Sequence, residues 1–130
     1  MKLLLDTQCW LWMQASPERF ASGARDIVDD PDNVLLLSPV SAWEIASKHA
    51  VGLLTLPMAP EEYVPSRMKS SGVDALALQH SHALQVAKLP WHHRDPFDRL
   101  LIAQAQVEGL PILSADSQLA AYDVELLSAL

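Results

Sequence analysis

Lys2-Leu3-Leu4-Leu5-Asp6-Thr7 sets three consecutive leucines directly before an aspartate, and the reading of that stretch decides the fold. An unbroken apolar run of this length fits a short strand buried on both faces, as in a parallel sheet. Asp6-Thr7 then offers the cap of a helix over 8–14, which leaves Asp6 at the carboxyl end of the strand. Working outward, the same alternation recurs. A second helix is expected to start at Ser16-Pro17-Glu18, with Ser16 as N-cap and Pro17 at the first helical position, and to run to residue 29. The turn Asp30-Pro31-Asp32-Asn33 precedes a strand over 34–37, and Ser38-Pro39-Val40-Ser41 leads into a helix that carries Glu44 and ends near Gly52. Further on, 61–70 reads as helix with Pro65 early in it, 73–77 as a short strand, 79–88 as helix and 89–94 as loop. Asp95-Pro96-Phe97-Asp98 opens the clearest helix, which stops at Gly109. A strand over 111–114, Asp116, a helical turn over 117–122 and a strand over 124–127 complete the chain. Strands alternating with helices imply right-handed crossovers and an α/β fold whose parallel sheet is covered on both faces.

The 130 residues suit one domain, 1–130, large enough to bury a core without staples. Half the residues are hydrophobic and 19% are charged, which excludes a disordered chain. Asp6 interrupts the initial leucines before a secretory h-region can form, and no later apolar run reaches a membrane span, so a cytoplasmic protein with no membrane partner is expected. The single Cys9 excludes an internal disulfide and a thiolate-rich zinc site. A formal charge of −7 argues against a long electrostatic footprint on nucleic acid. Phosphate contact would fall to a few rim cations such as Lys48, Arg94 and Arg99.

Asp6, Glu44, Asp98 and Asp116 each stand where a strand ends or a helix begins. A parallel α/β fold carries such positions to one edge of its sheet. Two carboxylates about 4 Å apart repel by roughly 4 kcal/mol at an effective dielectric of about 20, so a cluster of four calls for a cation or bound protons. Each acid also has a structural reading. Ser41-Ala42-Trp43-Glu44 has capping-box spacing, and Glu44 stands four residues before Lys48. Asp95 reads as an N-cap with Pro96 after it and Asp98 at the third helical position, although Leu101, Ile102 and Ala105 share the face of Asp98. Asp6 and Asp116 read equally as caps. Independent caps need not converge on one edge, however, and oxygen-only ligands there suit Mg²⁺ or Mn²⁺.

Other residues carry weaker signals. His80-Ser81-His82 and His92-His93 lack metal-ligand spacing and read as helix-surface and loop histidines, with phosphate contact from His92, His93 and Arg94 as the minority reading. Cys9 reads as a small buried residue, and Trp10, Trp12, Trp43 and Trp91 as core.

Leu3 to Thr7, Ser41-Ala42-Trp43-Glu44-Ile45-Ala46 with Lys48, Gly52-Leu53 and Leu56-Pro57, His93-Arg94-Asp95-Pro96-Phe97-Asp98-Arg99 with Ile102 to Ala105, and Ser114-Ala115-Asp116 together resemble PIN-domain ribonucleases, most of all VapC-type toxins of toxin–antitoxin pairs. The resemblance spans nearly the whole chain. It implies a three-layer α/β/α domain with a five-stranded parallel sheet in order 3-2-1-4-5. It also implies a Mg²⁺- or Mn²⁺-dependent endoribonuclease that cuts single-stranded or looped RNA, forms a homodimer and is covered by a cognate antitoxin. The family's acidic positions fall on Asp6, Glu44, Asp98 and Asp116. Asp6, Asp98 and Asp116 are then direct ligands, and Glu44 binds a metal or its water. Asp95, Thr7 and Ser114 stand beside the metal or at the substrate rim, with Arg94 or Arg99 steering phosphate. Gln8 departs from a histidine that often follows the Asp-Thr pair in similar sequences. Other readings are a metal-dependent phosphatase or phosphotransfer domain, for which Asp6-Thr7-Gln8 lacks the D-x-D pattern, a non-toxin PIN nuclease of RNA processing, and an interaction module with a vestigial site.

Overall fold

In the computed structural model, which describes residues 1–130, β1 (Lys2–Leu5) is the central strand and every other element is arranged around it. The chain continues through α1 (Thr7–Ala15), α2 (Ser22–Asp29), β2 (Val34–Leu37), α3 (Pro39–Ala50), α4 (Pro60–Ser71), β3 (Asp74–Ala75), α5 (His80–Gln85), α6 (Pro96–Glu108), β4 (Ile112–Ser114) and β5 (Leu126–Ser128). All neighbouring strands are parallel, in the order β3-β2-β1-β4-β5. This is the expected α/β architecture. Leu4 pairs with both Leu36 and Ile112, so the three leucines of β1 are enclosed from both sides.

Period-two alternation divides the leucines between two cores. Leu3, Leu5, Leu35, Leu37 and Leu113 face one layer with Trp10, Ile45, Tyr63 and Val64. Leu4, Leu36 and Ile112 face the other, with Leu101, Ile102, Ala105 and Tyr122. The continuous apolar runs are thus explained by burial on both faces, which parallel strands require. No helix is long and apolar enough to cross a membrane.

Several local expectations are corrected. The helix expected from Pro17 is a single 3-10 turn, Pro17–Arg19, after which Phe20 and Ala21 are extended before α2 begins. Phe20 is buried in the first core, and that burial breaks the helix in two. Ser38, not Ser41, caps α3, accepting from Val40 N at 3.0 Å with Pro39 next in line. Ser41 lies inside the helix and is fully buried. Trp43 and Trp91 are 52% and 75% exposed rather than core, whereas Trp10 and Cys9 are wholly buried.

His82 is also no surface histidine. It is completely buried, accepts the Gln79 backbone N–H on Nδ1 at 3.0 Å and lies 2.7 Å from Glu108 Oε1 through Nε2. The backbone donor on Nδ1 places the ring proton on Nε2, so the neutral imidazole donates to Glu108 and ties α5 to α6. Accordingly, His82→Ala should lower unfolding free energy by about 2–4 kcal/mol, by leaving a cavity and an unpaired backbone donor. Glu108→Gln, which keeps an acceptor for Nε2–H, should cost less than about 1 kcal/mol. Urea denaturation of both variants measures the difference, and equal losses would contradict the assigned ring proton.

Candidate metal centre

The parallel sheet brings the ends of β1, β2 and β4 to one edge, and the residues after them, with the start of α6, build the site from four chain segments. Asp6 follows β1 and caps α1: its Oδ1 accepts Cys9 N–H at 2.8 Å. Its own N–H donates to Leu113 O of β4 at 3.0 Å, which fixes Asp6 against the neighbouring strand. The Ser114 hydroxyl at the end of β4 donates to Asp6 Oδ2 and accepts Asp116 N–H at 3.0 Å. One buried hydroxyl therefore holds two of the predicted acids in register. On the other side, Thr7 Oγ1 donates to Ser41 Oγ at 2.9 Å, tying the start of α1 to the helix that carries Glu44.

The cap roles read from the sequence coexist with the clustering. Asp95 Oδ1 accepts Phe97 N–H and Asp98 N–H at the start of α6, and Asp116 Oδ1 accepts Gln118 N–H. A carboxylate has about four lone-pair sites, so one capping bond leaves the others available to a cation. Glu44 is buried, with Oε2 accepting from Lys48 Nζ at 2.5 Å.

Electrostatics mark the cluster as strained by its own charge. Burial, then the neighbouring charges of Asp95, Glu44, Asp6 and Asp116, push the Asp98 carboxyl up to about 7. Burial likewise raises the Asp6 carboxyl, against the opposing hydrogen bonds from Ser114 and Cys9 and with a further upward push from Glu44. The Lys48 ammonium is held above its ordinary value chiefly by the hydrogen bond to Glu44, with Asp95 and Asp98 adding to it. Hard oxygen donors that destabilise one another in this way fit a divalent cation such as Mg²⁺ or Mn²⁺.

Two expectations change in detail. Arg99 is 3% exposed and not at the rim. Its guanidinium donates to Pro90 O at 2.8 Å, with Leu89 O, Val86 O and the Tyr122 hydroxyl at 3.3–3.4 Å, and lies 3.9 Å over the Trp91 ring. It pairs with neither Asp95 nor Asp98, because it is consumed in closing the 86–91 turn. Arg94 is exposed beside the site. His93, read from the sequence as a loop histidine, instead offers a ring nitrogen within 4.8 Å of carboxylate oxygens of both Asp98 and Asp116. Only its place immediately before the capped start of α6 hinted at this, since its meeting with Asp116 is made by the fold.

A family model described as the PIN domain matches residues 3–125. The chain is 45% identical over 58 residues to Ribonuclease VapC16 of Mycobacterium tuberculosis (strain ATCC 25618 / H37Rv), a match spanning 45% of this chain and 41% of that protein. The similarity thus covers less than half of the curated relative. Among solved structures, VapBC2 from Rickettsia felis, bound to a DNA fragment from its promoter, superposes with a TM-score of 0.70 at 12% identity over 98% of each chain. VapBC-1 from nontypeable Haemophilus influenzae gives 0.65 at 17% identity over 98% of each chain. FitAcB from Neisseria gonorrhoeae gives 0.60 at 18% identity, over 99% of this chain and 98% of that one. At these identities the likeness is one of fold.

The raised Asp98 carboxyl has a measurable consequence for stability. Between the unfolded value near 4 and the folded value of about 7, the folded chain holds a proton that the unfolded chain releases, so stability declines as pH rises through that window and levels above it. In chelator, Asp98→Asn should raise Tm by about 3–6 °C at pH 8 and much less at pH 5, flattening the pH profile. Calorimetric scans across pH 4–9 would show this, and a variant that melts lower at pH 8 would refute the repulsion. Ser114→Ala should cost about 1–2 kcal/mol in urea unfolding by leaving Asp6 Oδ2 and Asp116 N–H without their shared partner.

Proposed function

The chain belongs to the PIN-domain family, and on that premise we propose that it is a divalent-metal-dependent endoribonuclease cutting single-stranded or looped RNA, the toxin of a toxin–antitoxin pair. The observation that carries this reading is the concentration of carboxylates at the carboxyl edge of the sheet, where Asp98 is raised to about 7 by burial and by Asp95, Glu44, Asp6 and Asp116. The partial match to a ribonuclease and the fold likeness to VapBC and FitAcB support it.

Asp6, Asp98 and Asp116 would hold Mg²⁺ or Mn²⁺, with Glu44 beside them. When bound, the ion offsets the carboxylates' charge, acidifies water and neutralises charge developing on the scissile phosphate. The chain's own residues do the positioning. Ser114 and the Cys9 N–H hold the Asp6 carboxylate in a single orientation. Lys48 holds Glu44 by Oε2, leaving Oε1 without a protein partner to orient the attacking water and take its proton. Arg94 meets substrate phosphate at the exposed rim, in place of Arg99. Cys9 is not a nucleophile, because burial and Asp6 push its thiol far above the ordinary range. A cognate antitoxin covering the acidic edge and a homodimer complete the proposal.

Incubation of the full chain with structured RNA and with a generic phosphomonoester, each in Mg²⁺, Mn²⁺ or chelator, tests the reading. Internal RNA cuts should require the metal and fall by about 100-fold or more in Asp98→Asn and in Asp116→Asn, since each removes several kcal/mol of charge stabilisation. Phosphate release from the monoester without RNA cleavage, or cutting that survives chelation, would replace the proposal.

A further inference from the structure

We infer that His93 is a nitrogen ligand of the metal centre, so that the site takes Mn²⁺ in preference to Mg²⁺; this rests on the metal-site reading above. The loop before α6 presents its imidazole to Asp98 and Asp116, and the three donor atoms lie within 4.8 Å of one another. An octahedral ion with ligands at about 2.1 Å sets neighbouring donors about 3 Å apart and opposite ones about 4.2 Å apart, so the three donors share one ion once they draw together by about an ångström. His93 Nε2 stands 3.8 Å from Asp98 Oδ2, too far for a hydrogen bond and suited to two ligands on a shared cation.

Two further observations set His93 apart from an ordinary loop histidine. Its side chain is 12% exposed, yet both ring nitrogens are closed off from solvent and neither has a hydrogen-bond partner. Buried polar groups of this kind are rarely left unpaired, and a metal ion is one of the partners that satisfies them. The residue is also held from behind. Its backbone N–H donates to the Tyr122 hydroxyl at 3.1 Å, and its ring packs on the Tyr122 ring at 5.4 Å between centroids. Arg99 reaches the same hydroxyl, so the buried guanidinium that closes the 86–91 turn also steadies the imidazole. By contrast, His92 is exposed and packs edge-on against Tyr122.

An imidazole among carboxylates shifts the preference of a site. Mg²⁺ favours oxygen donors almost exclusively, whereas Mn²⁺ and the later divalent ions accept imidazole nitrogen readily. The test loads the full chain with Mn²⁺ and records pulsed electron paramagnetic resonance, comparing unlabelled protein with protein carrying ¹⁵N-histidine. A directly bound histidine nitrogen should appear and change with the label, a result that needs no variant. Calorimetric titration should then show His93→Gln binding Mn²⁺ about ten-fold or more weakly, with a much smaller change for Mg²⁺, while His80→Gln, at an exposed position of α5, matches the parent. No histidine coupling in the parent, or its persistence in His93→Gln, overturns the ligand assignment and leaves the nuclease reading standing. A parent chain that binds neither ion removes both.

Discussion

The hydrogen bond from the Ser114 hydroxyl to Asp6 joins the end of the central strand to the end of its neighbour, and the acidic edge depends on it. The same oxygen accepts Asp116 N–H, so one buried side chain sets the distance between two carboxylates from residues more than a hundred positions apart. Such a link is possible only because β1 and β4 run parallel and end together. In an antiparallel pair, Asp6 and Ser114 would lie at opposite ends of the sheet. Thr7 extends the linkage to α3 through Ser41, which brings Glu44 to the same edge.

That framework holds charges together that would otherwise separate. Burial and four neighbouring acids push the Asp98 carboxyl up to about 7, while Lys48 is paired with Glu44 and shields only part of the cluster. The chain tolerates this because stability is supplied elsewhere, by leucine strands enclosed on both faces and two continuous cores. Charge and stability are thus divided between the edge of the sheet and its interior. Arg99 shows the division at a single residue: in sequence it stands beside Asp98, yet its guanidinium serves backbone carbonyls.

Much of the fold was legible because its signals are local. The unbroken apolar runs at 3–5, 34–37 and 111–113, the Pro-led helix starts at Pro39 and Pro96 and the Gly109 stop each depend on a few adjacent residues. The errors arose where distant packing overrode a local preference. Phe20 entered the core and split the second helix, Ser38 took the cap that spacing had offered to Ser41, and His82 was drawn beneath α6 by Glu108. Exposure of Trp43 and Trp91 was hidden for the same reason, since hydrophobicity alone does not say which face of a helix or loop meets solvent.

By itself, the sequence determined the strand–helix alternation, the parallel sheet that continuous apolar strands demand, and the placing of Asp6, Asp98 and Asp116 at element boundaries, whereas Glu44, expected at such a boundary, lies in the second turn of α3 because the helix already starts at Pro39. Only the tertiary structure decided which groups face one another: that Ser114 couples Asp6 to Asp116, that Arg99 turns away from the acids, and that His93 stands with Asp98 and Asp116. The physical reason is range. Hydrogen bonds and Coulomb forces between side chains operate over a few ångströms, and those distances exist only after the strands have paired.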